Sequence, residues 1–379
     1  MRLVAKKRIL FFAYNGTGWG HLMRLVNIAS EFRDDYLPII VTSHTAVSDL
    51  VIPGVEFCRI PDLDPFGGTD VVPNCLEVVQ FRKRIIARIV KTIKPSVIIT
   101  DHKPVGKKEE LLDTLTDYDC LKYLILRGIV GSQEKIEKKL FSPKNNEVIE
   151  NYYKRVFVAS IPSIDDFSNS EFIPNGIKNK FQHIGFVTRH IDSNEIERTR
   201  ILRGLHPQDK WIVCSAGGGR LGDSLIKQCI ELSSNPKYAD YYFDVVFGGY
   251  SDVPWPNELY DTIQINDKVN FSRKSSALPL MHSAADFVIC SGGYNSLMES
   301  MQGREKHVFA YSVQQDIKEQ SINIEKLGEY YSIHEIGQLD RLEAVLQNYV
   351  GVPPKATDLP DMNGAMRIKT IIENDLINS

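Results

Sequence analysis

The chain has 379 residues, a formal net charge of −3, 43% hydrophobic residues and 25% charged residues. This composition is typical of a globular protein, and the near-neutral charge argues against a basic nucleic-acid surface. A single core rarely grows beyond roughly 250–300 residues, so we expect two domains. No stretch approaches the roughly 20 apolar residues that span a membrane. The six scattered cysteines form no C-x-x-C pair, which favours a reducing, cytoplasmic location.

The first half of the chain alternates between strand and helix patterns. A predicted strand at 8–14 is followed by a glycine-rich loop and a helix at 21–33. Further strands are predicted at 37–42, 55–60, 96–100, 123–126 and 155–159, with a long basic helix at 75–93. This alternation predicts a parallel, doubly wound sheet that binds ligands at the carboxyl ends of its strands.

Two residues at that edge have the chemistry of a catalytic pair. His21 falls in the first turn of the helix after the first strand, where the helix dipole disfavours the charged imidazolium. Asp101 ends another strand and can orient the ring and stabilise the imidazolium that forms when the base takes a proton. His102 can compete for this role, and Lys103 begins a polar loop expected on the acceptor side. The alternative is a capping or surface histidine at position 21.

The second half repeats the same alternation. A polar stretch at about 188–205, expected to be irregular, marks the predicted boundary, so we expect domains at 1–190 and 191–360 and a terminal helix within 361–379. The strand at 211–215 leads into Gly217, Gly218 and Gly219, whose backbone N–H groups can approach a phosphate. Later strands are predicted at 244–247, 269–271, 287–290 and 306–309.

The ten residues 291–300, SGGYNSLMES, join a buried strand to a helix. Gly292 and Gly293 let the backbone come close to a ligand, and the N–H groups of a first helical turn suit a phosphate. Ser296 adds a hydroxyl, and Glu299 lies about one turn deeper, within reach of vicinal sugar hydroxyls. The pattern predicts a diphosphate site with a carboxylate beside it. The alternative is a tight turn with a glutamate there by chance.

Three further patterns bear on ligands. Glu319 and Gln320 place an acid and an amide at a helix start, a pairing suited to sugar hydroxyls, although a solvated helix face is the alternative. The D-x-D of Asp62 and Asp64 lies among loop prolines and does not lead us to expect a metal. The glycines at 16, 18 and 20 are spaced G-x-G-x-G, so a nicotinamide cofactor is not expected either.

Taken in order, these motifs resemble those of GT-B nucleotide-sugar glycosyltransferases. The likeness is to the family containing the UDP-N-acetylglucosamine transferase of peptidoglycan synthesis and bacterial predicted glycosyltransferases. The family's G-x-G-H-x-x-R loop matches residues 18–24, its S-G-G-Y-N-T-x-x-E block matches 291–299 with Ser296 in place of Thr, and its strand-end D-H with a P-x-G turn matches 101–106.

The resemblance implies an α/β GT-B fold, in which two Rossmann-like domains face each other across a cleft and a C-terminal helix can cross back to the first domain. It implies a metal-independent, inverting transfer from a nucleotide sugar, UDP-linked by family frequency, to an unidentified acceptor hydroxyl or amine. His21 is the implied base and Asp101 its support, with Gly18, Gly20, His102 and Lys103 on the acceptor side. The implied donor site comprises Gly217, Gly218, Gly219, Ser291, Gly292, Gly293, Asn295, Ser296, Glu299, Glu319 and Gln320.

Other readings stay open at the level of sequence. A hydrolase of the same superfamily passes the sugar to water, and a nucleotide-sugar 2-epimerase shares the fold but uses several placed carboxylates. A non-catalytic sugar-nucleotide binding protein is a third reading, which the presence of both His21 and Asp101 disfavours. We expect no resident cofactor, no nucleic acid partner and no stable membrane insertion.

Overall fold

The computed structural model describes most of the chain, namely residues 6–13, 19–63, 75–128, 140–166, 170–171, 173–217, 222–249, 251–255, 267–313, 319–355 and 360–378. Within these ranges the chain forms two compact units. One comprises Met1–Val187 and Asn363–Ser379, and the other Thr188–Met362.

The first unit contains a seven-stranded sheet in the described residues, with the order β3-β2-β1-β4-β5-β6-β7. All neighbouring strands are parallel. The strands are β1 (Arg8–Phe12), β2 (Leu37–Thr42), β3 (Glu56–Arg59), β4 (Val97–Asp101), β5 (Leu121–Arg127), β6 (Arg155–Ala159) and β7 (Phe181–His183).

The second unit contains a six-stranded parallel sheet in the described residues, with the order β10-β9-β8-β11-β12-β13. Its strands are β8 (Trp211–Ser215), β9 (Tyr242–Val246), β10 (Val269–Ser272), β11 (Phe287–Ser291), β12 (His307–Tyr311) and β13 (Ile333–Glu335). Both sheets reverse their winding direction at one point, between β1 and β4 in the first and between β8 and β11 in the second.

Helices connect the strands in both units. The first unit has α1 (Gly20–Phe32), α2 (Cys75–Ile93), α3 (Leu112–Asp117), α4 (Pro143–Tyr152) and α5 (Asn175–Lys178). The second has α6 (Ser193–Leu202), α7 (Asp223–Ser233), α8 (Leu278–Ala284), α9 (Tyr294–Met301), α10 (Glu319–Tyr330) and α11 (Leu342–Gln347). The terminal helix α12 (Gly364–Ile377) belongs to the first unit.

Helix α12 is fixed to the first unit by buried and exposed polar contacts. Asp375 accepts a hydrogen bond of 2.9 Å from the Tyr123 hydroxyl and two of 3.0 Å from the Arg155 guanidinium. At the start of the helix, a Cβ on Gly364 would lie 2.7 Å from the carbonyl oxygen of Phe186, so only glycine fits there. The return of the terminal helix to the first domain therefore agrees with the expected fold.

The central strands are buried on both faces, which explains why they are continuous apolar runs rather than alternating ones. Every residue of β4, β8 and β11 is buried. The expected α/β architecture with two doubly wound sheets is confirmed. One local expectation was wrong, because the polar stretch near 188–205 contains α6, whose N-terminus is closed by a capping box between Asp192 and Glu195.

Candidate functional site

The winding reversal in the first sheet brings His21 and Asp101 together. Strands β1 and β4 are hydrogen-bonded neighbours, His21 lies one residue into the helix that follows β1, and Asp101 is the last residue of β4. In open α/β sheets, such a reversal point opens a crevice at the carboxyl ends of the strands. His21 Nδ1 lies 2.6 Å from Asp101 Oδ2 across this point.

The short contact determines which ring nitrogen carries the hydrogen. A carboxylate oxygen cannot donate, so at 2.6 Å His21 Nδ1–H donates to Asp101. Arg24 Nη2 also lies 3.0 Å from His21 Nδ1, but it donates to Asp101 Oδ1 instead. The basic nitrogen of the neutral ring is then Nε2, the nitrogen that Asp101 does not contact. This is the tautomer that a general base supported by a carboxylate needs.

Arg24 completes the cluster. It lies three residues after His21 on the same face of α1 and is only 2% exposed. Its Nε donates to Asp101 Oδ1 at 3.1 Å, and its terminal nitrogen Nη2 contacts the same oxygen. Arg24 and His21 therefore hold the two carboxylate oxygens of Asp101 separately. The sequence motif contained Arg24, but spacing alone gave it no role; its i, i+3 relation to His21 was the available signal.

The pKa values of this cluster follow from burial and from these partners. Burial lowers the pKa of His21, and the neighbouring guanidinium of Arg24 lowers it further against the opposing effect of Asp101. The imidazole is thus neutral near pH 7. The charge of Arg24, together with the hydrogen bonds from Arg24 and His21, holds the pKa of Asp101 well below its usual range despite burial. For His21, the main cause of the lowered pKa is burial, whereas the sequence suggested the helix dipole.

The residues expected on the acceptor side lie at the same edge. The His102 ring is 5.0 Å from that of His21, and its backbone takes the left-handed conformation with φ of 62°. Burial keeps its pKa well below the ordinary value. Lys103 and Asp101 both line an open crevice with about 460 Å³ of empty volume. Gly20 is the first residue of α1, whereas Gly18 lies outside the described residues.

The winding reversal in the second sheet brings the two glycine turns together. Gly217 follows β8 with φ of 77°, a conformation that favours glycine, and its Cβ position lies 3.5 Å from Ser291 Oγ at the end of β11. The carboxyl ends of both strands thus meet at this point. Gly218 and Gly219 lie outside the described residues.

The glycines at 292 and 293 have different reasons to be glycine. A Cβ on Gly292 would lie 2.7 Å from Ile324 Cδ1 and 3.0 Å from the Gln320 carbonyl oxygen, so Gly292 lets α10 pack closely. Gly293 has φ of −69°, and a Cβ there would meet only Ser291 Oγ, at 3.9 Å. Neither its backbone angles nor its packing against the residues that the structure describes requires a glycine at position 293. A ligand that approaches the backbone closely would require it.

Gly293 is the N-cap of α9 and, as a glycine, supplies no capping side chain. Asn295 and Ser296 lie in its first turn and are half-buried. The first N–H groups of a helix have no partner within it and carry partial positive charge, so this end suits an anion.

Glu299 lies one turn further along α9, with a side chain that is 15% exposed. Burial raises the pKa of Glu299 to about 7. Its Oε2 is 3.9 Å from Nδ1 of His282, a fully buried histidine on α8 whose Nε2 lies 3.0 Å from Ser215 Oγ. Sequence reasoning missed His282 and Ser215, since a single histidine in a short apolar helix carries no signal of function.

Helix α10 supplies Glu319 and Gln320 in its first turn. The side-chain oxygen of Gln320 accepts a 2.8 Å hydrogen bond from the Val313 backbone N–H, so this oxygen serves the fold. Asn323, which is 1% exposed, donates to the Gly292 carbonyl oxygen at 3.4 Å. The helix is thus bonded to both the 291–300 segment and the end of β12.

In the part of the chain that the structure describes, no three His, Cys, Asp or Glu side chains cluster as a metal site. Asp64 of the D-x-D pattern lies outside those residues. The described helices include none with the length and apolar character needed to cross a bilayer.

No family model and no curated protein matches this sequence. Solved structures match over nearly the whole chain. The glycosyltransferase of kitacinnamycin has a TM-score of 0.60 and 12% identity, covering 97% of this chain and 94% of that one. MurG from Acinetobacter baumannii has a TM-score of 0.52 and 13% identity, also covering 97% and 94%. UGT71G1 from Medicago truncatula, complexed with UDP-glucose, has a TM-score of 0.54 and 13% identity, again covering 97% and 94%.

These neighbours share the GT-B architecture, and the likeness confirms the fold expected from the sequence motifs. At this identity the likeness establishes the fold alone. The chemistry therefore has to be argued from the two clusters described above.

Proposed function

We propose that the protein is a glycosyltransferase that moves a sugar from a nucleoside diphosphate sugar to a hydroxyl or amine of an acceptor. The observation that carries the proposal is the His21–Asp101 pair, with a 2.6 Å contact that assigns the hydrogen to Nδ1 and the basic lone pair to Nε2. A buried, neutral imidazole at the winding reversal of the sheet is suited to take a proton from a bound acceptor.

The donor binds to the second unit in this proposal. Its diphosphate lies at the N-terminus of α9 against Gly293 and Ser296, beside the turn that begins at Gly217. Glu299 accepts hydrogen bonds from the ribose hydroxyls, and Glu319 with the amide of Gln320 holds the sugar. UDP is the favoured nucleotide, because the structural neighbour from Medicago truncatula is complexed with UDP-glucose.

The reaction is a single displacement. The acceptor O–H or N–H gives its proton to His21 Nε2, and the acceptor atom forms a bond to the anomeric carbon. The bond from that carbon to the β-phosphate oxygen breaks, and the nucleoside diphosphate leaves with the electron pair. Asp101 stabilises the imidazolium that forms, and the dipole of α9 stabilises the leaving group, so the proposal needs no metal ion. One displacement inverts the anomeric configuration.

The acceptor is placed at the crevice beside Asp101 and Lys103. Its walls are apolar at Ile60, Leu63 and Ile86. They also carry charged side chains of both signs, with Lys103 and Lys107 cationic and Asp62 and Glu110 acidic. These residues favour an acceptor that combines an apolar part with hydrogen-bonding groups.

The test is an assay of nucleotide release from a panel of UDP-sugars, with and without candidate acceptors. The proposal predicts UDP release that depends on an acceptor, together with a product of inverted anomeric configuration by proton NMR. Release of free sugar at the same rate without any acceptor would identify a hydrolase. Conversion of the UDP-sugar to its 2-epimer without transfer would identify an epimerase and contradict the proposal.

A further inference from the structure

His282 is a fully buried histidine between the two turns of the second unit. It lies on α8, and its ring touches groups from two other elements: Ser215 at the end of β8, and Glu299 with Ser300 on α9. Its backbone carbonyl accepts a 2.7 Å hydrogen bond from Lys306 at the approach to β12. The ring therefore connects the strand before the first glycine turn with the carboxylate beside the second.

The hydrogen bonds of Ser300 determine the tautomer of His282. Ser300 Oγ lies 2.6 Å from the Ser296 carbonyl oxygen, which can only accept, so the single hydroxyl hydrogen of Ser300 is donated there. Towards His282 Nδ1, at 3.5 Å, Ser300 Oγ can then only accept. Nδ1 therefore carries the ring hydrogen, and Nε2 accepts from the Ser215 hydroxyl at 3.0 Å. Burial lowers the pKa of His282 to about 3, so the ring stays neutral.

The Nδ1–H group faces two acceptors. One is Ser300 Oγ at 3.5 Å, and the other is Glu299 Oε2 at 3.9 Å, which is too far for a hydrogen bond. A movement of about 1 Å by the carboxylate would bring Glu299 to hydrogen-bonding distance. A buried carboxylate that receives such a bond is favoured in its ionised form, which is the better acceptor for sugar hydroxyls.

We propose that His282 is a positioning residue of the nucleotide site: its Nδ1–H, aligned by the Ser215 hydroxyl, orients Glu299 and favours its ionised form when ribose hydroxyls bind, the carboxyl proton passing to solvent. This inference rests on the proposed role of Glu299 in binding the ribose. It assigns a function to a buried histidine that makes no contact with substrate. It also assigns Ser215 a specific task, since its hydroxyl holds Nε2 as an acceptor and so keeps the hydrogen on Nδ1.

The test compares two substitutions that preserve different halves of the ring. The amide nitrogen of His282→Asn lies near the Nδ1 position, whereas the amide of His282→Gln lies near the Nε2 position. UDP affinity is measured by calorimetry. The inference predicts that His282→Gln binds UDP about 10-fold more weakly than wild type, the loss expected for one hydrogen bond, while His282→Asn retains affinity within about 3-fold.

A double-mutant cycle separates positioning from structural damage. In a Glu299→Gln background, the two His282 variants should bind UDP equally, because the carboxylate on which His282 acts is gone. Binding of 2′,3′-dideoxyuridine diphosphate, which lacks the ribose hydroxyls, should be insensitive to both variants. Equal losses for Asn and Gln in both backgrounds would overturn the inference and leave His282 as a packing residue.

Ser215→Ala provides a second route if neither His282 variant folds, as judged by the unfolding midpoint. It should weaken UDP binding about 3-fold with intact Glu299 and leave it unchanged with Glu299→Gln. An effect that is independent of Glu299 would contradict the inference.

Wild-type protein that binds no UDP or other nucleoside diphosphate would overturn the proposed function, whereas wild-type binding without coupling between His282 and Glu299 would overturn this inference alone.

Discussion

The two winding reversals have the same topology and opposite chemistry. In the first unit, Asp101 is buried between Arg24 and His21, and the charge of Arg24 with the hydrogen bonds from both residues holds its pKa well below the usual range. In the second, Glu299 has a neutral histidine 3.9 Å away, and burial raises its pKa to about 7. Partners, more than burial, decide whether a buried carboxylate is charged.

This difference suits two tasks. A permanently ionised Asp101 keeps His21 in one tautomer and is ready to stabilise an imidazolium. A carboxylate whose pKa lies near 7 is poised to gain charge when a ligand supplies hydrogen bonds. In the proposed function, the first reversal serves proton transfer, and the second serves binding with glycines, hydroxyls and backbone N–H groups. The following experiments test this contrast.

Loss of His21 should have the largest effect. His21→Ala is expected to lower turnover by roughly 10²- to 10⁴-fold, because the group that accepts the acceptor's proton is missing. UDP affinity should stay within about 2-fold, since the donor groups lie in the second unit. Initial rates and calorimetry check the two halves of this prediction. His190→Ala, at an exposed histidine, is the matched control and should leave both unchanged. Full turnover in His21→Ala would rule out His21 as the general base.

Removal of Arg24 should destabilise the first unit. Arg24→Ala leaves Asp101 buried with only the histidine as partner, and breaking one side of a buried ion pair costs about 3–5 kcal/mol. The free energy of unfolding from denaturant titration measures this loss. Arg189→Ala removes an exposed pair with Glu195 and should cost less than about 1 kcal/mol. Equal losses in the two variants would contradict the account of the cluster.

The raised pKa of Glu299 predicts a pH dependence of stability. The unfolded chain releases this proton near pH 4.5 and the folded one near pH 7, so wild-type stability falls as pH rises between these values. Glu299→Gln cannot ionise and should be more stable than wild type at pH 8, by at most about 3 kcal/mol, with a smaller difference at pH 4. Unfolding at both pH values tests the sign. If the stability difference between the variant and wild type is the same at pH 4 and pH 8, Glu299 has an ordinary pKa.

The two adjacent glycines should respond differently to the same substitution. Gly292→Ala places a Cβ 2.7 Å from Ile324 Cδ1, and such overpacking typically costs about 1–3 kcal/mol of stability. Gly293→Ala has open space within the protein, so stability should change by less than about 0.5 kcal/mol while nucleotide binding weakens. Thermal unfolding with and without UDP separates the two effects. Unaltered UDP affinity in Gly293→Ala would show that no ligand approaches that position.

Sequence patterns predicted much of this architecture, because buried parallel strands are continuous apolar runs. Strands β2, β6 and β8 and helix α2 begin and end at the predicted residues. Short edge strands such as Phe181–His183 and Ile333–Glu335 were missed, since three residues carry no period. Helix α6 was missed because its capping box lies in a polar stretch.

Residues of the candidate site were predictable only where a motif marked them. Asp101 ends a strand, and His21 and Glu299 lie in helices that follow glycine-rich sequences; topology brings the first two together. The partners that set their charge could not be found in the same way. The role of Arg24 depends on which way one face of α1 points. The role of His282 depends on contacts among three elements that are distant in sequence. The reason Gly292 is glycine lies in the packing of α10, which no local pattern reveals.

The central claim is that the second unit binds a nucleoside diphosphate, and a thermal-shift screen against UDP, TDP, GDP and CMP tests it most directly. A ligand present at about 100 times its Kd stabilises the folded protein by about 2.7 kcal/mol, which is readily detected. The account predicts a clear shift with UDP that is reduced in Glu299→Ala, because that variant loses about 1–3 kcal/mol of binding. No shift with any nucleotide, or an equal shift in Glu299→Ala, would contradict the assigned donor site.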